Sequence, residues 1–342
     1  MSKWALSVVA VLLVVYMLFS RLSAHVENSL SFISMEVRMK EFQYVYDDFK
    51  KKNPSVTKFV SNDTSYSAVP YELKQNMMWN HHSVCTNNTF LLLMYFTYRD
   101  EYGRRELIRQ YVKQGMVVDG KTLNYVIVVA SDKSETDVLE RLKKENDNNQ
   151  DLLVSMHKDT GAYWPITVLD SFMWARDYCK EAAYVCKVDG DTWAHLGNLV
   201  HYLRNVPKTK YYGGKPSSHV YKRGQKYKGI RFIPSDYPER NWLYNIGACC
   251  VFSHDIIPYL NIGTQFLDTI FPACEDIIVG EILRKAGIYP YGKPKNYNWV
   301  AFHYQLKNMS ITPDTIFVHV KKDFTYLKEF YTKYADNYTT PF

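Results

Sequence analysis

Between residues 90 and 188 one arrangement recurs: a short apolar run, then a polar or amphipathic stretch. The runs are FLLLMYF (90–96), LNYVIVVA (123–130), LLVSM (152–156) and AYVCKV (183–188). Their length and their β-branched and aromatic content read as strands. The stretches between them, 101–114, 134–146 and 164–179, carry helix-forming patterns. Strands that are apolar throughout, rather than alternating, need cover on both faces, and helices lying over a parallel sheet supply it. The spacing therefore predicts an α/β fold: a Rossmann-type, mostly parallel sheet flanked by helices. In such sheets ligands bind beyond the carboxyl ends of the strands.

The remainder is less regular. Residues 206–244 form a basic connection rich in Tyr, Gly and Pro, with short strands at most. Residues 246–252 read as a buried strand, 276–286 as a helix stopped by Gly287, and 316–320 as a last short strand. Ahead of the repeating region, residues 4–19 (WALSVVAVLLVVYMLF) hold no charge, with Lys3 before and Arg21 after. A bilayer core asks for roughly 20 apolar residues, and thinner early-secretory membranes accept fewer. The run is long for a cleaved signal, and no clear small-x-small pattern follows near Ala24, so a retained signal-anchor is expected. The domains expected are a short cytoplasmic tail (1–3), a transmembrane helix (4–19), a lumenal stem (20–85) and a catalytic domain (86–342).

A lumenal body agrees with four N-glycosylation triplets, at Asn62, Asn87, Asn308 and Asn337. It also agrees with six cysteines, at positions 85, 179, 186, 249, 250 and 274, which allow 15 full pairings and lack zinc-ligand spacing. Cys249 and Cys250 point to opposite faces if their run is a strand. The formal charge of +7 comes with no long basic run or nucleic-acid motif, so nucleic acid is not an expected partner.

The run at 183–188 ends in Asp189-Gly190-Asp191. Two carboxylates this close repel unless something positive lies between them. A hard divalent cation, Mn²⁺ or Mg²⁺, takes oxygen ligands and commonly bridges carboxylate to diphosphate. A solvated turn is the plainer reading, but the end of a buried strand is where an α/β sheet binds its ligand.

Several segments in order resemble the β-1,3-galactosyltransferases, which are Golgi type II membrane proteins with the GT-A fold. Arg105-Glu-Leu-Ile-Arg109 resembles the family's Arg-x-x-Ile-Arg segment, and Asp159, Tyr163, Thr167, Leu169, Trp174 and Cys179 follow its spacing. Lys187-Val-Asp189-Gly-Asp191 resembles its Lys-x-Asp-Asp-Asp strand end, with Gly190 in place of the middle aspartate. Tyr237-Pro238, Gly247 and Ser253 resemble the acceptor-side segment, Glu275-Asp276-Ile-Ile-Val-Gly280 the Glu-Asp-Val-x-x-Gly motif, and Val318-His319 a late Val-His. The family's Thr-Trp and Tyr-Cys are absent: Tyr111-Val112 and Tyr244-Asn245 stand there.

The resemblance implies an inverting hexosyltransferase that uses a UDP-sugar donor and a glycan acceptor on glycoprotein or glycolipid. Asp276 matches the general base, with Glu275 orienting the acceptor or the helix start. Asp191, Asp189 and His319 match the metal site, with Asp189 also reaching toward the donor. Arg105 and Arg109 are expected to face uracil or diphosphate, with a helix-face salt bridge as the rival. Lys187 reads equally as an anion partner or a half-buried strand residue. Trp164 and Trp242 fit sugar platforms or core positions, and His303 is a second candidate imidazole. Galactose is the expected donor sugar. The alternatives are N-acetylglucosamine and a membrane-anchored, non-catalytic glycan-binding relative, for which Gly190 is the main argument.

Overall fold

The computed structural model describes residues 44–52, 77–79 and 84–341, apart from 162, 218–225, 228–229, 232–242, 264–274, 293–297, 303–305, 307–308 and 321–322. The anchor expected at residues 4–19 lies outside the described residues, as do Trp242, His303, Cys274, Asn62 and Asn308. Among the described residues no helix is long and apolar enough to cross a membrane.

A helical segment over residues 44–52 (α1) comes first, then β1 (Met77–Met78) and β2 (Thr89–Phe96). Next are α2 (Tyr102–Tyr111), β3 (Met116–Val118), β4 (Lys121–Ala130), α3 (Thr136–Asn149), β5 (Leu152–Ser155), α4 (Trp164–Tyr178) and β6 (Tyr184–Asp189). All four expected runs are strands, and β5, β4, β2 and β6 lie side by side and parallel. Every residue of β2 and β5 is buried, as cover on both faces requires. One apolar cluster lies on each side of the sheet: Leu92, Met94 and Phe96 join one, and Leu91, Leu93 and Tyr95 join the other. That split is the two-residue period of a strand.

After β6 the chain makes β7 (Thr192–Ala194), α5 (Leu196–Leu203), β8 (Tyr212–Gly213), β9 (Pro216–Ser217), β10 (Lys226–Tyr227), β11 (Ile230–Arg231), β12 (Tyr244–Asn245) and β13 (Cys249–Ser253). It ends with α6 (Ile257–Gly263), α7 (Glu275–Lys285), β14 (Asn298–Phe302), β15 (Thr315–His319) and α8 (Phe324–Lys333). The expected mostly parallel sheet forms the centre, and the strands at its edges add antiparallel pairs. Strand β13 runs antiparallel to β6, β8 antiparallel to β13, and β1 antiparallel to β5. The sheet is mixed, with a parallel centre. Cys249 and Cys250 face opposite clusters, and both are buried free thiols, as is Cys186.

Three features tie the region before residue 86 to this body. Phe49 of α1 is fully buried in one of the two apolar clusters, and β1 pairs with β5. Cys85 is bonded to Cys179 at the end of α4, across a sequence separation of 94. In the chain-entropy account a loop of that size is worth about 4–5 kcal/mol. The part of the expected stem covering residues 44–52, 77–79 and 84–85 thus packs with the sheet domain.

Candidate active site

Strand β6 hands the chain from the main sheet to a second one. Phe96 of β2 pairs with Asp189, and the Gly190 N–H donates to the Phe96 carbonyl at 2.7 Å. Three residues later β7 pairs with β15, which also pairs with β14. His319 lies opposite Thr192 in that ladder, and the Val320 N–H donates to the Asp191 carbonyl at 2.9 Å. The turn between sheets is therefore what brings His319 to the aspartates. One ligand atom from each of Asp189, Asp191 and His319 falls within 4.8 Å of the others. His319 Nε2 is 3.3 Å from Asp191 Oδ1, and His319 Nδ1 is buried with no hydrogen-bond partner.

Gly190 is where a carboxylate is missing relative to the resemblance, and the packing explains it. A Cβ there would lie 2.6 Å from Thr97 Cγ2 and 2.9 Å from the Phe96 carbonyl oxygen. The Thr97 methyl group fills the space, so a side chain at 190 would displace it.

On the other side of β6 stands the acceptor-like half. Gly247 precedes β13, and α7 begins with Glu275 and Asp276. The Asp276 carboxylate accepts from the Gly247 N–H at 3.2 Å and from the Ile277 N–H at 2.9 Å. A Cβ on Gly247 would be 2.7 Å from Glu275 Oε1, so only glycine lets the backbone come this near. Burial, and then the neighbouring Glu275 charge, push the Asp276 carboxyl up to about 8. Acids at a helix start are also favoured by its dipole.

Lys187 joins the halves. Its Nζ donates to Asp189 Oδ1 at 2.6 Å, to Glu275 Oε1 at 2.6 Å and to the Gly247 carbonyl. The side chain is 3% exposed. Burial alone would lower the ammonium pKa, yet Asp189 and Glu275 outweigh it and hold it well above the usual lysine range. Burial pushes Asp189 up to about 6, against the pull of Lys187. The sequence left Lys187 open between two readings. The available signal was its spacing: residues i and i+2 of a strand share a face, so Lys187 points as Asp189 does.

Arg105 and Arg109 lie in salt bridges, the rival of the two places expected for them. Arg105 donates to both oxygens of Glu145 at 2.8 Å, and Arg109 to both oxygens of Asp151 at 2.8 Å. Both arginines are buried in these pairs, which tie α2 to α3 and to the start of β5. Their forks are taken up by carboxylates of the fold. Trp164 packs against Phe96 and Tyr98, with ring centroids 5.9 and 5.3 Å away, beside the strand end that carries the site.

Two aspartates and a histidine thus meet at a strand end of a mixed α/β sheet, next to a raised carboxyl, in a donor set of the kind a hard divalent cation takes. A family model described as galactosyltransferase matches residues 103–294, more than half the chain, and the chain belongs to the galactosyltransferase family. Its relatives place it among the β-1,3-galactosyl- and N-acetylglucosaminyltransferases. A lactosylceramide 1,3-N-acetyl-beta-D-glucosaminyltransferase A of Danio rerio is 26% identical over 276 residues, covering 74% of this chain and 68% of the relative. Beta-1,3-galactosyltransferase 1 of Mus musculus is 24% identical over 293 residues, covering 83% and 82%. A solved glycosyltransferase involved in glycosylation of the major capsid of PBCV-1 aligns at 12% identity with a TM-score of 0.41, over 70% of this chain and 98% of its own.

Proposed function

We propose that this glycosyltransferase moves galactose from a uridine diphosphate sugar to a glycan hydroxyl, forming a β-1,3 linkage with inversion. The observation that carries the reading is the placement of Asp276 across Lys187 from the Asp189, Asp191 and His319 cluster. The donor set of that cluster, two carboxylates and an imidazole with a buried unpartnered nitrogen, fits Mn²⁺ or Mg²⁺. When bound, such an ion supplies positive charge to the departing diphosphate.

The chain's own residues account for the rest. The acceptor oxygen attacks the anomeric carbon, and the bond from that carbon to the diphosphate oxygen breaks, its electron pair leaving with the nucleotide. Asp276 takes the proton of the acceptor hydroxyl as the new bond forms. A carboxylate raised by burial is a stronger base than one in water, although only its ionised fraction, the minority form below about pH 8, takes the proton; Gly247 and Ile277 hold it by their N–H groups. Glu275, fixed by Lys187, orients the acceptor side. Residues 4–19 would anchor the body in the Golgi membrane, facing the lumen.

A panel of sugar nucleotides with Mn²⁺ and β-linked acceptors tests the donor. UDP-galactose is expected to give the fastest transfer. Faster transfer from UDP-N-acetylglucosamine would select the second reading, which the Danio rerio relative favours. No transfer or donor hydrolysis from any sugar nucleotide would leave a non-catalytic binding protein.

A further inference from the structure

Lys187 has three N–H groups and three acceptors: Asp189, Glu275 and the Gly247 carbonyl. No N–H remains for a substrate phosphate, and the anions that Lys187 partners are the carboxylates of Asp189 and Glu275. The ammonium stands 2.6 Å from Asp189 Oδ1, and Asp189 is also a member of the cluster suited to a divalent cation. A cation arriving there meets a like charge already on the same carboxylate. Glu275 draws on the same ammonium from the far side, at the first residue of the helix that carries Asp276.

We infer that Lys187 is a positioning residue that couples the two halves of the site: it weakens metal binding at Asp189 and in return holds Glu275 and Gly247 in register with Asp276. The inference rests on the metal site and base given under the proposed function. Its consequence is opposite in sign for binding and for turnover. A group that only supports the fold would lower both when removed. Lys187 holds metal affinity down while supporting the rate. By linkage, a change at Glu275 reaches the metal through Lys187, and a change in metal occupancy reaches Glu275.

The test measures Mn²⁺ binding to the full chain without donor or acceptor, by the loss of the free Mn²⁺ resonance signal, beside kcat and thermal unfolding. Lys187→Met should bind Mn²⁺ about tenfold more tightly, within the usual span of coupling between sites. Its kcat should fall between about tenfold and a hundredfold, as expected when reacting groups lose their alignment. Glu275→Gln should bind Mn²⁺ several-fold more weakly, because the ammonium is then left to Asp189. Lys187→Met leaves two buried carboxylates uncompensated, so the double variant Lys187→Met/Glu275→Gln decides if the single one does not fold. It should bind Mn²⁺ more tightly than Glu275→Gln alone. Equal or weaker binding in a folded Lys187→Met or double variant overturns the coupling. The metal site itself fails on a different result: no Mn²⁺ binding by the unaltered protein, or binding that Asp191→Asn leaves unchanged.

Discussion

Two buried ionic networks lie a few strands apart, and they differ in what they do. In the first, Arg105 and Arg109 face the buried Glu145 and Asp151, cation for anion, and the half-buried Glu106 also accepts from Arg109 at 2.6 Å. In the second, Lys187 pairs with Asp189 and Glu275, two of four carboxylates grouped at the ends of β6 and α7 with Asp191 and Asp276. The first is complete as it stands, and its work is to fasten α2 to α3 and β5. In the second, burial and then the Glu275 charge raise the Asp276 carboxyl, burial raises Asp189, and Asp189 and Asp191 stand beside His319 as a donor set for a further cation. The first network fastens elements, and the second holds the raised carboxyls that mark a candidate site.

The comparison breaks if the second network can lose a carboxylate without loss of rate. Asp276→Asn keeps the shape but cannot accept a proton, so kcat at saturating donor and acceptor should fall by about 10² to 10⁴, with donor affinity nearly intact. A rate within a few-fold of the unaltered protein would remove Asp276 from the mechanism. The mirror experiment is Arg109→Met, which strands the buried Asp151. It should cost about 3–5 kcal/mol in unfolding free energy, while the folded fraction keeps its kcat. Rate loss without stability loss would make Arg109 part of the site after all.

A smaller effect sharpens the contrast through pH. The Asp276 carboxyl is raised from its unfolded value to about 8, so the folded protein holds this proton more tightly than the unfolded chain does. That contribution to stability is fully present below about pH 4 and is lost progressively as pH rises to about 8. Asp276→Asn has no such dependence. Its melting temperature should therefore gain on that of the unaltered protein across this range, and parallel curves would show that the shift is absent. The smallest effect concerns the gap at residue 190. Gly190→Ala meets Thr97 and the Phe96 carbonyl and should destabilise by about 1–3 kcal/mol, the usual range for overpacking. Adding Thr97→Ser, which deletes the crowding methyl, should recover part of that loss. No recovery would mean that the backbone contact with Phe96 alone dictates the glycine.

The parallel centre of the sheet was legible because period and composition are local: each strand shows its own burial in its own residues. The antiparallel strands β13, β8 and β1 were not, since direction depends on connections whose path no local pattern records. Of the site, Asp189, Asp191 and His319 meet as the resemblance implied. Nothing in the sequence near His319 announces that contact, because it is made by the ladder between β7 and β15. Arg105 and Arg109 were read toward a ligand because their partners, Glu145 and Asp151, lie about 40 residues away. An arginine's charge is visible in a sequence, whereas its neutralisation at long range is not. Lys187 escaped assignment for a similar reason, its second carboxylate lying 88 residues on. Helix α1 reads as stem because its surroundings are polar, although Val45 and Phe49 both insert into the core and are buried there.

That insertion sets a length. If residues 4–19 anchor the protein, the tether between membrane and enzyme is not the whole stretch to residue 85 but only the part before α1 at residue 44. About 24 residues reach no farther than ~80 Å when fully drawn out. Under that anchor the active site would sweep a shallow shell above the bilayer, within reach of glycans on lipids or on membrane-bound proteins.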